Sequence, residues 1–237
     1  LSAFISQFQY QEEIIMLKKL LCTLTALVML VTPVLAIKGE VVNPDELPYI
    51  PTEGSPSSWA ASEIKQAADA GLIPQFTGDP SYQDEITREQ FAQLAVRLVE
   101  VIQKEELPSA AESTFSDSDS LAVRKASQAG IVTGTGGDKF APTLTTNREQ
   151  IATMLYRAVG VVKTATGVDL APKAGSIEDY NDRASVSLWA ADGVGALAAN
   201  GIMKGNGSAL SPQEPCSVEQ AILLAWRLYA QYGDQAG

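Results

Sequence analysis

Two arginines occupy equivalent places in a short motif that the chain contains three times, and their position suits anion binding. The copies are Ile86-Thr87-Arg88-Glu89-Gln90-Phe91, Thr146-Asn147-Arg148-Glu149-Gln150-Ile151 and Cys216-Ser217-Val218-Glu219-Gln220-Ala221. An arginine in the first turn of a helix lies beside free backbone N–H groups, so guanidinium and N–H groups can face one anion. Arg88 and Arg148 are therefore candidate ligand-binding residues, with solvated i, i+4 ion pairs as the simpler alternative. Val218, in the third copy, cannot bind a carboxylate.

Each motif also predicts the start of an α-helix through a pair of capping residues. The pairs are Thr87 with Gln90, Asn147 with Gln150, and Ser217 with Gln220. In such a capping box the first side chain accepts a backbone N–H of the first turn, and the glutamine accepts the N–H of the capping residue. Glu89, Glu149 and Glu219 lie where the helix dipole favours a carboxylate by about 0.3–1 kcal/mol. We interpret these glutamates as capping residues rather than as catalytic acids.

An apolar pattern follows each motif and indicates the fold class. The residues that step i, i+3, i+4, i+7 are Phe91, Leu94, Ala95, Leu98 and Ile102; Ile151, Met154, Leu155 and Ala158; and Ala221, Leu224, Ala225 and Leu228. Before each motif, a shorter predicted helix ends at a glycine that can adopt a left-handed cap, namely Gly71, Gly130 or Gly201. One such helix–loop–helix module buries little core. We therefore predict an all-α protein, with three modules packed as a pseudo-threefold unit around a central bundle of the three long helices.

The module boundaries follow from the repeat, and a sequence typical of export precedes them. The modules are expected at residues 57–107, 113–160 and 177–233. Residues 1–36 are predicted to be an upstream segment and a signal peptide, which starts at Met16 and is cleaved after Ala36. The proline-rich segment 37–56 is predicted to be an extended leader, and 161–176 a surface linker. No second apolar stretch reaches membrane-spanning length, so we expect no transmembrane segment in the mature chain.

The composition argues against several classes of function. The chain carries 17 Lys+Arg against 28 Asp+Glu, a net charge of −11, and no histidine. An acidic surface repels nucleic acid, and the lack of histidine removes the usual general base and a common metal ligand. Asp117 and Asp119 resemble the start of a calcium loop, but the glycine and glutamate that such a loop needs do not follow. We predict a helix cap there, and no metal or cofactor. Cys216, alone after cleavage, cannot form an internal disulfide.

Further motifs in register with these resemble a known family. They include Trp59-Ala60, Trp189-Ala190, Phe115-Ser116-Asp117, Phe140-Ala141-Pro142 and Leu210-Ser211-Pro212, with the Ala/Asn-Gly-Leu/Ile steps at Gly71, Gly130 and Gly201. Together with the arginine motifs they resemble a triplet of S-layer homology modules over essentially all of residues 57–233.

The resemblance implies non-covalent attachment of an exported protein to the bacterial cell wall, at the cell surface or S-layer. In this family, grooves of the triplet hold a secondary cell-wall polysaccharide, often one that ends in a pyruvylated sugar. The ligand-binding residues it implies are Arg88, Arg148, Trp59 and Trp189, with Gly71, Gly130 and Gly201 as turn residues nearby. An arginine fork suits a ketal-linked carboxylate, and an indole face suits a sugar ring.

Two departures from the family pattern bear on how many grooves work. The third module has Val218 instead of arginine, and the second has no tryptophan at the place of Trp59 and Trp189. We expect one or two working grooves, in which a tryptophan of one module serves an arginine of another. Both tryptophans could equally be core anchors.

Two other classes of function compete with this one. An enzyme is disfavoured because no pair of carboxylates is singled out except by capping, and no Ser/His or Cys/His pair exists. The remaining alternative is a secreted helical protein that binds other surface proteins, or forms a coat, without binding polysaccharide.

Overall fold

The computed structural model describes residues 54–205 and 207–236, and this part of the chain is helical. Its α-helices are α1 (Ala61–Asp69), α2 (Arg88–Gln103), α3 (Leu121–Gln128), α4 (Arg148–Thr166), α5 (Ala191–Ala199) and α6 (Val218–Ala236), with a short 3-10 helix at Arg183–Ser185. No β-strand occurs among these residues, which contain only isolated antiparallel bridges. The predicted all-α class is confirmed. The predicted signal peptide, 1–36, and all but the last three residues of the predicted leader lie outside the described residues.

Short and long helices alternate along the chain, and local chemistry sets their ends. The long helices α2 and α4 follow Thr87 and Asn147, whose side chains accept the N–H groups of Gln90 and Gln150 while each glutamine accepts in return. Ser217 and Gln220 exchange the same two bonds at the start of α6. The short helices are each followed closely by a left-handed glycine, with φ of 70° at Gly71, 73° at Gly130 and 71° at Gly201.

The short helices pack on long helices of another repeat. We call α1 and α2 the first pair, α3 and α4 the second, and α5 and α6 the third. Helix α3 packs against α2, α5 against α4, and α1 against α6, so each short helix covers the long helix of the preceding pair in cyclic order. Helix α2 also packs against both α4 and α6. All apolar positions predicted from the helical period are buried in one core.

The starts of the three long helices meet through backbone hydrogen bonds. The N–H of Ile86 donates to the carbonyl of Cys216 at 2.9 Å, that of Thr146 to Ile86 at 3.0 Å, and that of Cys216 to Thr146 at 3.1 Å. Each of these residues precedes a capping residue, so the bonds form a closed ring. Burial raises the pKa of the Cys216 thiol to about 12, which keeps it protonated. The ring fixes the helix starts, and therefore the arginine positions, relative to one another.

The segment 161–176 differs from the predicted surface linker. Helix α4 continues to Thr166 because Val161 and Val162 extend its apolar face onto the core. Leu170 and Ala171 are buried as well, so the part that follows the helix also packs against the core. Among the described residues, no helix combines the length and the apolar character needed to cross a bilayer.

Candidate anion-binding clefts

Arg88 is buried and bridges the first and second pairs. Its side chain is 8 % exposed. The Nε atom donates to the carbonyl of Phe140 at 2.8 Å, and Nη2 donates to the carbonyl of Thr133 at 2.8 Å. The guanidinium carbon also lies 4.7 Å from the centroid of the Phe140 ring. Among the described residues only the Nη1 atom of this fork has no hydrogen-bond partner, so most of the fork holds the protein together.

The burial of Arg88 shifts the pKa of its guanidinium. Burial lowers the pKa of the guanidinium, while the negative charge of Asp117 acts in the opposite direction. An arginine stays protonated in proteins despite such a shift. The positive charge therefore remains at the edge of the space described below.

Arg148 makes the equivalent contacts between the second and third pairs. Its Nε donates to the carbonyl of Leu210 at 2.9 Å, and Nη2 donates to that of Lys204 at 3.1 Å. These acceptors occupy the same places in the third pair as Phe140 and Thr133 in the second. A leucine stands where the first arginine has an aromatic ring, so the cation–π contact is missing here.

At the contact between the third and first pairs, which we call the third junction, Val218 occupies the place of the arginine. Its side chain is fully buried, and its N–H donates to the carbonyl of Asp84 at 2.9 Å. The equivalent N–H groups of Arg88 and Arg148 donate to Leu144 and Glu214. The backbone contact thus recurs at all three junctions, while the guanidinium occurs at two.

The two candidate tryptophans are exposed and are not core anchors. Trp59 and Trp189 each expose 57 % of their surface. Trp189, from the third pair, lines a cleft together with Arg88 of the first pair. The structure therefore brings a tryptophan of one repeat to an arginine of another, as the missing groups in the second and third repeats require.

We call this space the Arg88 cleft. It has a volume of about 540 Å³ and is lined by Arg88, Thr133, Gly134, Thr135, Gln150, Thr153, Met154, Arg157 and Trp189. Two guanidinium groups and no carboxylate face it, although the chain as a whole is strongly acidic. Arg157 was missed by the sequence analysis. A signal for it existed, because an arginine follows each helix start by the same nine residues at Arg97, Arg157 and Arg227.

A second space, the Arg148 cleft, is smaller and mixed in charge. Its volume is about 320 Å³, and its lining consists of Arg148, Lys204, Gly205, Leu210, Ser211, Glu214, Pro215 and Gln220. Neither Trp59 nor Arg227 belongs to this lining. The turn glycines Gly71, Gly130 and Gly201 line neither cleft, and their positive φ values assign them to the helix ends.

The glutamates of the helix-start motifs tie one pair to the next. The carboxylate of Glu149, 2 % exposed, accepts the N–H and the hydroxyl of Ser187, both at 2.8 Å. Glu219, 3 % exposed, accepts the same two groups of Ser57 at 2.9 and 2.8 Å. Because Ser187 lies two residues before Trp189, the first of these ties positions the wall of the Arg88 cleft. Glu89 is the exception: among the described residues its carboxylate has only a contact of 3.5 Å from the Thr77 hydroxyl, within its own pair.

The prediction of a helix cap at Asp117 is wrong. Its carboxylate instead accepts the N–H groups of Phe140 and Ala141 at 2.8 and 2.9 Å. It thereby holds Ala141 at φ 59°, which a residue with a Cβ rarely adopts. Asp182 does the same for Leu210 and Ser211 in the third pair. Both aspartates thus shape the loop whose carbonyl the arginine binds.

Comparison with known proteins places these features in a family. The family model of the S-layer homology domain matches residues 116–152 and 179–222. An endoglucanase of Bacillus sp. (strain KSM-635) is 26 % identical over 191 residues, which are 79 % of this chain and 19 % of that protein. An amylopullulanase of Thermoanaerobacterium thermosulfurigenes is 31 % identical over 104 residues, 41 % of this chain and 6 % of that protein. The chain thus spans less than a fifth of either relative.

The helical fold, taken with these matches, defines a class of domains that anchor proteins at the cell surface. The chain contains S-layer homology domain sequence at residues 116–152 and 179–222, where the family model matches it. The resemblance to this family is therefore confirmed, through matches that lie within the second and third predicted modules.

Proposed function

We propose that the three helix pairs form three S-layer homology modules, at residues 57–107, 113–160 and 177–233, arranged about a pseudo-threefold axis. The unit attaches an exported protein to the bacterial cell wall by binding a secondary cell-wall polysaccharide in the Arg88 cleft. The closed ring of backbone bonds and the cyclic packing of short on long helices support the threefold arrangement.

One observation carries the polysaccharide assignment. The Arg88 cleft combines an indole that is 57 % exposed with two guanidinium groups and no carboxylate. A flat apolar ring can cover the apolar face of a sugar, and a guanidinium binds a carboxylate such as that of a pyruvate ketal. Screening over roughly 8–10 Å at physiological salt weakens the repulsion from the more distant acidic groups of the chain, so contacts within that distance decide.

The matches to an endoglucanase and an amylopullulanase fit an anchoring role. Each match covers a small share of a large protein, as expected for a module joined to a separate catalytic part. In this proposal the module holds its cargo at the wall, where other surface proteins surround it.

The test is sedimentation of the chain with purified, protein-free cell walls, before and after removal of the non-peptidoglycan polymer. Trp189→Ala is the informative variant, because Arg88→Ala would also disturb the packing between pairs. Trp59→Ala is the matched control, since it removes an equally exposed indole outside both clefts.

We expect co-sedimentation that disappears with the polymer and falls about ten-fold in Trp189→Ala but not in Trp59→Ala. Binding that survives polymer removal would point to peptidoglycan instead. Binding only to intact protein layers would establish the alternative, a protein-binding or coat-forming role.

A further inference from the structure

Arg157 lines the Arg88 cleft, and its guanidinium has no hydrogen-bond or ion-pair partner among the described residues. It lies on α4, nine residues after Arg148, and its side chain is partly exposed. Its side chain makes no hydrogen bond and no ion pair with any residue in the described part of the chain. An arginine offers five N–H donors, so the whole fork is available to a ligand.

The arginines at the equivalent position of the other two pairs, Arg97 and Arg227, both form hydrogen bonds within the protein. Arg97 donates from Nε to the carbonyl of Gly71 at 2.6 Å. Arg227 donates from Nε and Nη2 to the carboxylate of Glu63, at 3.1 and 2.8 Å, and from Nη1 to the carbonyl of Ile202. Three arginines thus share one position in the repeat, and one of them is left free where a cleft opens.

Helix packing explains why Arg157 has no carboxylate partner. Glu63 lies on α1, four residues after Trp59, and the residue four after Trp189 on α5 is Gly193. A Cβ at Gly193 would lie 3.1 Å from the Ala152 carbonyl oxygen, closer than most side chains tolerate. Close packing of α5 on α4 therefore leaves little room at this position for a carboxylate side chain that would pair with Arg157.

Most other polar groups that line the cleft already form hydrogen bonds within the protein, so Arg157 is its principal free donor. Arg88 has two of its three nitrogens bound to carbonyls, and the hydroxyls of Thr153 and Thr135 donate to Glu149 and Lys139 carbonyls. Gln150 uses its oxygen in the capping box, and its amide N–H₂ has no partner among the described residues. Its counterpart Gln90 donates to the Thr77 carbonyl instead.

The geometry points to Arg157, assisted by the Gln150 amide, as the group that binds the carboxylate of an acidic sugar whose ring lies on Trp189. This inference rests on the proposed polysaccharide binding and assigns its specificity for an acidic ligand. Arg88 is then a positioning residue, which holds the loop at residues 133–135 against the cleft. A fork with free donors suits the two oxygens of a carboxylate.

The test compares two forms of solubilised wall polysaccharide, native polymer and polymer whose carboxyl groups have been reduced to alcohols. Dissociation constants are measured for the full chain and for Arg157→Gln, with Arg157→Lys as the conservative variant. Arg97→Gln is the matched control, since it changes the same repeat position outside the cleft. Thermal unfolding of every variant shows whether the fold is kept.

We expect Arg157→Gln to bind native polymer about ten- to one-hundred-fold more weakly, with an unchanged midpoint of unfolding, and Arg157→Lys to restore part of the affinity. The original chain should bind reduced polymer as weakly as Arg157→Gln binds native polymer, and the variant should not distinguish the two. Equal binding of native polymer by Arg157→Gln and the original chain would overturn the role of Arg157 and leave the proposed function intact. Failure of the original chain to bind native polymer would overturn both.

Discussion

The Arg88 cleft and the Arg148 cleft are built around equivalent arginines, yet only the first combines the groups that we propose bind an acidic sugar. Each has an arginine at a helix start that donates to two carbonyls of the next pair. They differ in what surrounds that arginine. The Arg88 cleft is larger, includes an exposed indole and a free guanidinium, and has no acid in its lining, whereas the Arg148 cleft includes Glu214. The two clefts thus share the geometry of the clamped arginine and differ in the groups that surround it.

The largest expected effect is a loss of stability that differs between the variants of Arg88 and Arg148. Arg88→Ala removes two hydrogen bonds from a buried charged donor and the contact with the Phe140 ring, so we expect a loss of about 3 kcal/mol in the free energy of unfolding. Arg148→Ala removes two bonds at a half-buried site without a ring, and we expect about 1–2 kcal/mol. Urea denaturation of both variants measures the difference. Equal losses would show that burial and the aromatic contact add nothing at Arg88.

Features that depend on residues close together in the sequence could be predicted, and features that depend on contacts between distant residues could not. The capping boxes and the helical period involve residues three or four apart, and they suffice for the long helices and their buried faces. The packing of each short helix on the preceding pair depends on contacts distant in sequence, for which no local pattern exists. Arg88 illustrates the same limit for the site, because its position in the motif does not reveal that two carbonyls from the next pair occupy its fork. Arg157 could have been noted from the common spacing, but not that it alone lacks a partner.

The hydrogen bonds of Glu149 with Ser187 and of Glu219 with Ser57 should give a second, smaller difference in stability between equivalent sites. Ser187→Ala leaves the buried carboxylate of Glu149 without a hydroxyl donor, and we expect a loss of about 1–3 kcal/mol in the free energy of unfolding. Ser57→Ala should have a smaller effect, since Glu219 also accepts the amide of Gln83 at 3.4 Å. Because Ser187 positions Trp189, its loss should weaken polymer binding too, whereas that of Ser57 should not. Denaturation and wall sedimentation on the same preparations give both readings, and equal binding by the two variants would contradict the positioning role.

Removal of the Glu63 carboxylate tests whether the ion pair alone prevents Arg227 from binding a ligand. Glu63→Ala releases the Nε and Nη2 donors of Arg227, with a loss of stability of less than about 1 kcal/mol because the pair is partly exposed. We expect the freed guanidinium to add a second, weaker site for native wall polysaccharide. Calorimetry should then give a stoichiometry near two where the original chain gives one. A stoichiometry that stays at one would show that a free guanidinium on α6, outside the lining of the Arg148 cleft, does not by itself make a binding site.

The smallest expected effect is a dependence of stability on pH that both clefts share. Hydrogen bonds from the Phe140 and Ala141 N–H groups lower the pKa of Asp117. At Asp182, burial raises the pKa, but the N–H groups of Leu210 and Ser211 outweigh it and the net shift is also downward. A carboxyl with a lowered pKa in the folded state stabilises the protein above its unfolded pKa of about 3.9, and this contribution is lost as the pH falls from there through the folded value. The midpoint of thermal unfolding, measured from pH 6 to pH 2.5, should therefore fall less steeply in the Asp117→Asn, Asp182→Asn double variant, and a parallel decline would mean that other carboxyls govern acid unfolding.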